Sequence, residues 1–147
     1  MRMDAVPEGW VAWDGTSLNS HVGGFYCRQG GGGNEYGFLA DERHANTRGV
    51  VHGGVFGVVF DTALGLASRE ASGRLPSATV QLSMNFVDAL RIHEFAMIQC
   101  EVVRATRSLI FMRGAMTAQE RVIATADGVW KILGDGQTRT AAASPDA

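Results

Sequence analysis

Gly54-Val55-Phe56-Gly57-Val58-Val59-Phe60-Asp61-Thr62-Ala63-Leu64-Gly65-Leu66-Ala67-Ser68 spreads apolar residues over every side of a helical wheel and sets a single carboxylate among them. A helix that is apolar all round is a buried one, so the rest of the chain must wrap it. The wrapping material follows directly. Thr79-Val80-Gln81-Leu82-Ser83-Met84-Asn85-Phe86 alternates strictly, with Val80, Leu82, Met84 and Phe86 on one face and Thr79, Gln81, Ser83 and Asn85 on the other, the pattern of a half-buried strand. Residues 94–104, 109–118 and 121–133 are long and rich in β-branched or apolar side chains, and short polar links join them as an antiparallel meander. Upstream, residues 24–29 and 36–42 read as a hairpin whose turn is Gly30-Gly31-Gly32-Gly33. Two strands, one buried helix and four strands predict an α+β domain in which one antiparallel sheet curls around one central helix.

Working outward, the 147 residues, 46% of them apolar, suffice for one domain with a proper core and are too few to expect two. Residues 1–17 form a lead-in, a short helix or irregular segment despite Trp10 and Trp13, and residues 134–147, small and polar, are expected to be a disordered tail. The domain proper runs over 18–133. Thirteen Lys and Arg against fifteen Asp and Glu leave a net charge of -2, with the basic residues scattered, so neither nucleic acid nor an anionic membrane is an expected partner. No window is long and apolar enough to span a bilayer, and the N-terminus lacks the apolar core of an export signal, so a cytoplasmic protein is expected. Cys27 and Cys100 have neither disulfide-scaffold nor zinc spacing and read as packed thiols. His21, His44 and His93 are isolated. Met84, Met97, Met112 and Met116 read as core, or as the lining of an acyl tunnel.

Chemistry concentrates around the helix. Gly53, Gly57, Asp61 and Gly65 recur every four residues and share one slowly rotating stripe. Glycines inside a helix cost about 1 kcal/mol each against alanine, which predicts another backbone or a ligand close to Asp61. A carboxylate on a buried apolar helix is expected to be desolvated, making Asp61 a candidate general base or nucleophile. Alternatively it caps a neighbouring loop or pairs with Arg48 or Arg113. His52-Gly53-Gly54 falls where the helix begins, and first-turn N–H groups at the positive dipole end suit an oxyanion; the bland alternative is a tight loop-to-helix turn. Eight residues separate Gly53 from Asp61, about 12 Å along a helix. One carbonyl cannot touch both, so a joint site requires two chains related by a twofold axis.

Asn46, Gly49, Val51-His52-Gly53-Gly54, then Asp61 and Ala63, with Asn46 six residues before His52 and Asp61 nine after it, resemble the hotdog-fold thioesterases of the phenylacetate-pathway type. The resemblance continues through residues 79–86, 107–111 and 122–130. It implies a sheet of five to six strands around the long helix, with dimers sharing a continuous sheet or tetramers built from them. It further implies an acyl-CoA thioesterase in which Asp61 activates water or attacks the thioester carbonyl. The Gly53 N–H of the partner subunit would polarise that carbonyl, Asn46 and His52 would hold nucleophile, thioester or water, and Thr79 would position the water. Gly54 and Gly57 join them as substrate contacts. No metal or prosthetic group is implied, coenzyme A being part of the substrate. Where relatives approach the nucleotide with a basic residue, this chain has Asp88, which would repel a 3′-phosphate; Arg91, Arg104 or Arg107 would compensate or lie in solvated surface. The carrier is then coenzyme A or an acyl carrier protein. The competing readings are a non-catalytic acyl-CoA-binding hotdog protein and a hotdog dehydratase or hydratase, whose histidine spacing is not found here.

Overall fold

The computed structural model describes residues 6–134. The helix of the quoted stretch, α2, spans Gly53–Ala71. His52 caps its start in an extended conformation, and its Nδ1 accepts from the Gly54 N–H at 2.9 Å. The last turn closes when the Arg74 N–H reaches the Arg69 carbonyl at 2.6 Å, with Gly73 in the left-handed region at φ 74°.

Among the described residues, seven strands form one antiparallel sheet: β1 (Val11–Ala12), β2 (Phe25–Gly30), β3 (Gly33–Leu39), β4 (Ser77–Phe86), β5 (Phe95–Ala105), β6 (Leu109–Ala118) and β7 (Arg121–Ile132). Their spatial order is β1-β2-β3-β5-β6-β7-β4. This is the hotdog arrangement with one strand beyond the expected five to six, because Val11 and Ala12 pair with Cys27 and Tyr26. Gly30 faces Gly33 across the first hairpin, so the glycine run is a two-residue turn of Gly31 and Gly32 between paired strands. The returning strand ends at Leu39, short of the predicted residue 42, because Asp41 caps a single 3-10 turn, Glu42–His44. The proposed tail at 134–147 falls, beyond Gly134, outside the described residues.

Phe56, Val59, Phe60, Ala63 and Leu64 of α2 are buried against the curved sheet with Ile98, Ile110, Met112, Met116, Ala126 and Trp130. Gly114 lets the helix come close: a Cβ there would stand 3.1 Å from Leu64 Cδ2. The opposite side of α2 is open in the single chain, and Asp61 on it is exposed. The expectation of a wholly buried helix with a desolvated carboxylate is therefore corrected, since one sheet covers one helix face.

Residues 1–5 of the lead-in lie outside the described residues; from residue 6 onward it packs on the fold. Trp10 is buried and packs edge-on against Phe95 with ring centroids 5.1 Å apart, and Trp13 does the same on Phe25 at 5.6 Å. A short helix, α1 (Ser17–Val22), is capped by Thr16, and buried Asn19 donates through Nδ2 to Thr62 Oγ1 at 3.1 Å. The segment is thereby latched to α2 one residue from Asp61.

Candidate active site

The decisive local feature is in β4. Thr79 pairs with Trp130 and Gln81 with Val129, which leaves Val80 as the extra residue of a β-bulge. Leu82 and Met84 face the helix as their spacing predicts, but the bulge reverses the alternation before them. Thr79, grouped by alternation with Gln81, Ser83 and Asn85, instead points to α2, as does Ser77 before it. Thr79 Oγ1 donates to Asp61 Oδ1 at 2.7 Å, and Ser77 Oγ lies 3.3 Å from Ser68 Oγ. Val80 is 60% exposed.

The glycine stripe faces the same strand. A Cβ at Gly53 would meet Phe86 Cε1 at 3.3 Å, one at Gly57 would meet Met84 Cε at 3.6 Å, and one at Gly65 would meet Trp130 Nε1 at 3.3 Å. Within the single chain, side chains of the sheet stand opposite these glycines. Neither Arg48 nor Arg113 pairs with Asp61; its hydrogen bond among the described residues is with Thr79.

Two cavities divide the predicted residues. The first, about 430 Å³, is lined by Asp61 and Thr79 with Trp13, Asn19, Leu66 and Trp130. The second, about 540 Å³, is lined by Asn46, Arg48, Gly53, Phe56, Phe86 and Asp88. The helix start and the carboxylate are thus apart within one chain, as their spacing requires. At the start of α2, His52 Nδ1 accepts from the Gly54 N–H, which engages Gly54 locally. The Gly53 N–H belongs to the first turn, whose donors have no acceptor within the helix. Asn46 shapes the approach: its Oδ1 accepts from Arg48 N–H at 2.8 Å and Val50 N–H at 3.3 Å, and Gly49 completes the turn at φ 77°.

Asp88 is not a lone repulsive charge. Arg121 grips it at 2.7 Å and also holds nearly buried Glu94 at 2.7 Å, and the hydrogen bond from Arg121 keeps the Asp88 carboxyl below its ordinary range. Arg91 is exposed and bridges Val50 through its backbone, near the second cavity. Arg104 and Arg107 are exposed on β5 and in the turn after it, and line neither cavity. Sequence reasoning missed Trp13, Asn19 and Trp130 as walls around Asp61, and Arg48 beside Gly53. Thr16 three residues before Asn19 was an available capping signal. His44, assigned no chemistry, is buried and structural: Nδ1 accepts from the Asp41 N–H at 2.9 Å and Nε2 donates to the Val22 carbonyl at 2.7 Å.

A sheet curled on one helix, with a hydroxyl-held carboxylate at mid-helix and a donor-rich start, matches a known family. The model of the thioesterase superfamily matches residues 48–125. A Pseudomonas aeruginosa protein named "Putative esterase PA0474" is 30% identical over 132 residues, covering 86% of this chain and 97% of that protein. Among solved structures, a mutant form of the phenylacetic acid degradation protein PaaI from Thermus thermophilus superposes with a TM-score of 0.71 at 18% identity, over 80% of this chain and 100% of that one. A hypothetical thioesterase from Streptococcus pneumoniae, solved with coenzyme A, gives 0.64 at 22% identity, over 86% of this chain and 90% of that one. The chain belongs to the thioesterase superfamily. Its reaction class is thioester hydrolysis. No helix among the described residues is long and apolar enough to cross a membrane.

Proposed function

We propose that the chain hydrolyses acyl-CoA thioesters at a site shared between two copies, Asp61 and Thr79 coming from one and the Gly53 N–H from the other. The separation of Asp61 and Gly53 into different cavities of one chain carries this reading. Strand β4 supports it: a ten-residue strand at the sheet edge, with Phe86 59% and Val80 60% exposed, is a surface that sheet proteins normally pair or cover. Pairing two β4 edges would make a continuous sheet and set two α2 helices antiparallel, as a homodimer or as half of a homotetramer. The coenzyme A bound to the Streptococcus pneumoniae relative supports coenzyme A as carrier over an acyl carrier protein.

In this reading Thr79 occupies Asp61 Oδ1, leaving Oδ2 to act. As base, Asp61 takes a proton from water while the water oxygen attacks the carbonyl; the oxyanion accepts the partner's Gly53 N–H, the C–S bond breaks and the thiolate leaves with a proton. As nucleophile, Asp61 forms a mixed anhydride with loss of the thiolate, and water then cleaves it to the free acid. No metal or prosthetic group is invoked. A panel of aromatic and aliphatic acyl-CoAs, assayed by released thiol with Asp61→Asn as control, tests the reading. Turnover that falls about 100-fold or more in the variant is expected. Acyl-CoAs bound but never cleaved would instead make this a binding protein.

A further inference from the structure

Arg121 is the first residue of β7, opposite Ala118 across the Gln119–Glu120 turn. Both turn residues sit at positive φ, 48° and 66°, which suits the twist of paired strands but is costly for residues other than glycine. Contacts outside the turn must hold that hairpin end, and Arg121 makes them. Its Nη1 donates to Asp88 Oδ2 at 2.7 Å and to the Ala89 carbonyl at 3.2 Å, and its Nη2 donates to Glu94 Oε1 at 2.7 Å and Oε2 at 2.9 Å. Asp88 and Glu94 stand near the two ends of the link between β4 and β5, residues 87–94, so one planar fork spans the link. That link is the bed of the helix start. The Leu90 carbonyl accepts from the Val51 N–H at 3.0 Å, Arg91 bridges Val50, and Leu90 itself is fully buried. Glu94 Oε2 ties the link internally by accepting from the Arg91 N–H at 2.8 Å. Val50 and Val51 lead through His52 directly into Gly53.

We infer that Arg121 is a positioning residue for the reaction: through residues 87–94 it holds the start of α2, and with it the Gly53 N–H, where an oxyanion would meet it. The inference rests on the reading of that N–H as the oxyanion donor. Glu94 is buried, and apolar packing would serve stability as well as a buried ion pair does, so the pair is used here for placement. Arg121 touches no reacting atom. Its effect is one of alignment: a donor stabilises an oxyanion only within hydrogen-bond range, and a misplacement on the order of 1 Å costs up to about 100-fold in rate. An interaction made only in the transition state is felt in kcat and in kcat/KM alike.

Arg121→Met alone would strand the buried Glu94 carboxylate, so the test is the double variant Arg121→Met/Glu94→Gln, whose glutamine oxygen can keep the Arg91 N–H bond. In the full-length protein, with the best acyl-CoA of the panel, it should turn over about tenfold more slowly, with KM changed less than about threefold. Arg121→Lys, which keeps the charge and loses the fork, should fall between the double variant and the wild type. Hydrogen exchange gives a second readout: in the double variant the amides of residues 50–54 should exchange faster, while those of β5 and β6 keep their wild-type rates. A lowered Tm beside an unchanged kcat makes Arg121 structural only and overturns the inference. Unchanged exchange at residues 50–54 also overturns it. So does a rise in KM without a fall in kcat, which would assign Arg121 to neutralising Asp88 against an anionic carrier. If the wild type cleaves no acyl-CoA, the thioesterase reading fails separately, and if Gly53→Pro turns over normally, the oxyanion reading does. In either case the exchange rates alone decide whether Arg121 holds the helix start.

Discussion

Thr79 Oγ1 donates to Asp61 Oδ1 at 2.7 Å because a bulge at Val80 turns Thr79 towards the helix. The bond fixes one carboxylate oxygen and presents the other. Thr79→Ala should lower kcat roughly 10- to 100-fold with a smaller effect on KM, through loss of orientation, and Thr79→Ser should recover most of it. Asp61→Asn should cost more than either. Steady-state thiol release with each variant checks the order, and equal losses for Thr79→Ala and Thr79→Ser would show that the hydroxyl is not the active feature.

The proposed division of Asp61 and Gly53 between two copies predicts complementation. Gly53→Pro removes the N–H at the first helical position, where proline is well suited to the backbone; Phe86, 3.3 Å from the added Cβ, must give slightly. Neither Gly53→Pro nor Asp61→Asn should turn over alone. Mixed after joint refolding, they should regain activity, because each mixed dimer holds one intact site. Failure to regain it, with mixed dimers verified by native mass spectrometry, would place both groups in one chain.

A Cβ added at Gly57 would meet only the flexible end of Met84, at an ordinary contact distance of 3.6 Å. Gly57→Ala should therefore stabilise α2 by about 1 kcal/mol and raise Tm by a few degrees. Calorimetry checks this. A gain in Tm joined to a loss of turnover would indicate that substrate uses the space beside the glycine.

Burial, reinforced by Glu70, pushes the Cys27 thiol up to about 11 and the Cys100 thiol up to about 12, from an ordinary 9.0. At pH 8 the thiolate fraction of each is on the order of one in a thousand or less, so both should alkylate slowly in the native chain and rapidly in denaturant. The sign for stability follows. The folded state resists ionisation that the unfolded state undergoes, so these groups favour folding below about pH 9 and that contribution fades as pH rises towards 11 and 12. Tm measured from about pH 7 to about pH 11 should decline above about pH 9, and less steeply for a chain with both cysteines replaced by alanine.

Much of this architecture was legible because α2 and the late strands carry long periods: the helix read over 54–68 spans Gly53–Ala71, and the hairpin, meander and strand β4 appear in the predicted order. What escaped was set by single residues or by distant packing. Strict alternation assigned Thr79 to the wrong face, since a bulge has no signature in hydrophobic spacing. Trp10 and Trp13 showed no period because they anchor an irregular segment through isolated ring contacts. The apolar wheel of α2 overstated burial around Asp61, because the same pattern serves a helix covered on one side by its own sheet and open on the other. The roughly 12 Å separation, by contrast, needed only the rise per residue.

The bulge also bears on how β4 can be altered. Since Val80 sets the phase of everything before it, a redesign that imposes regular two-residue alternation on Ser77–Phe86 would swing two hydroxyls away from the helix while preserving every apolar contact that measures of core packing reward. Such a protein would fold, melt normally and present its carboxylate unsteadied, so the quality of its interior would say nothing about the competence of its surface.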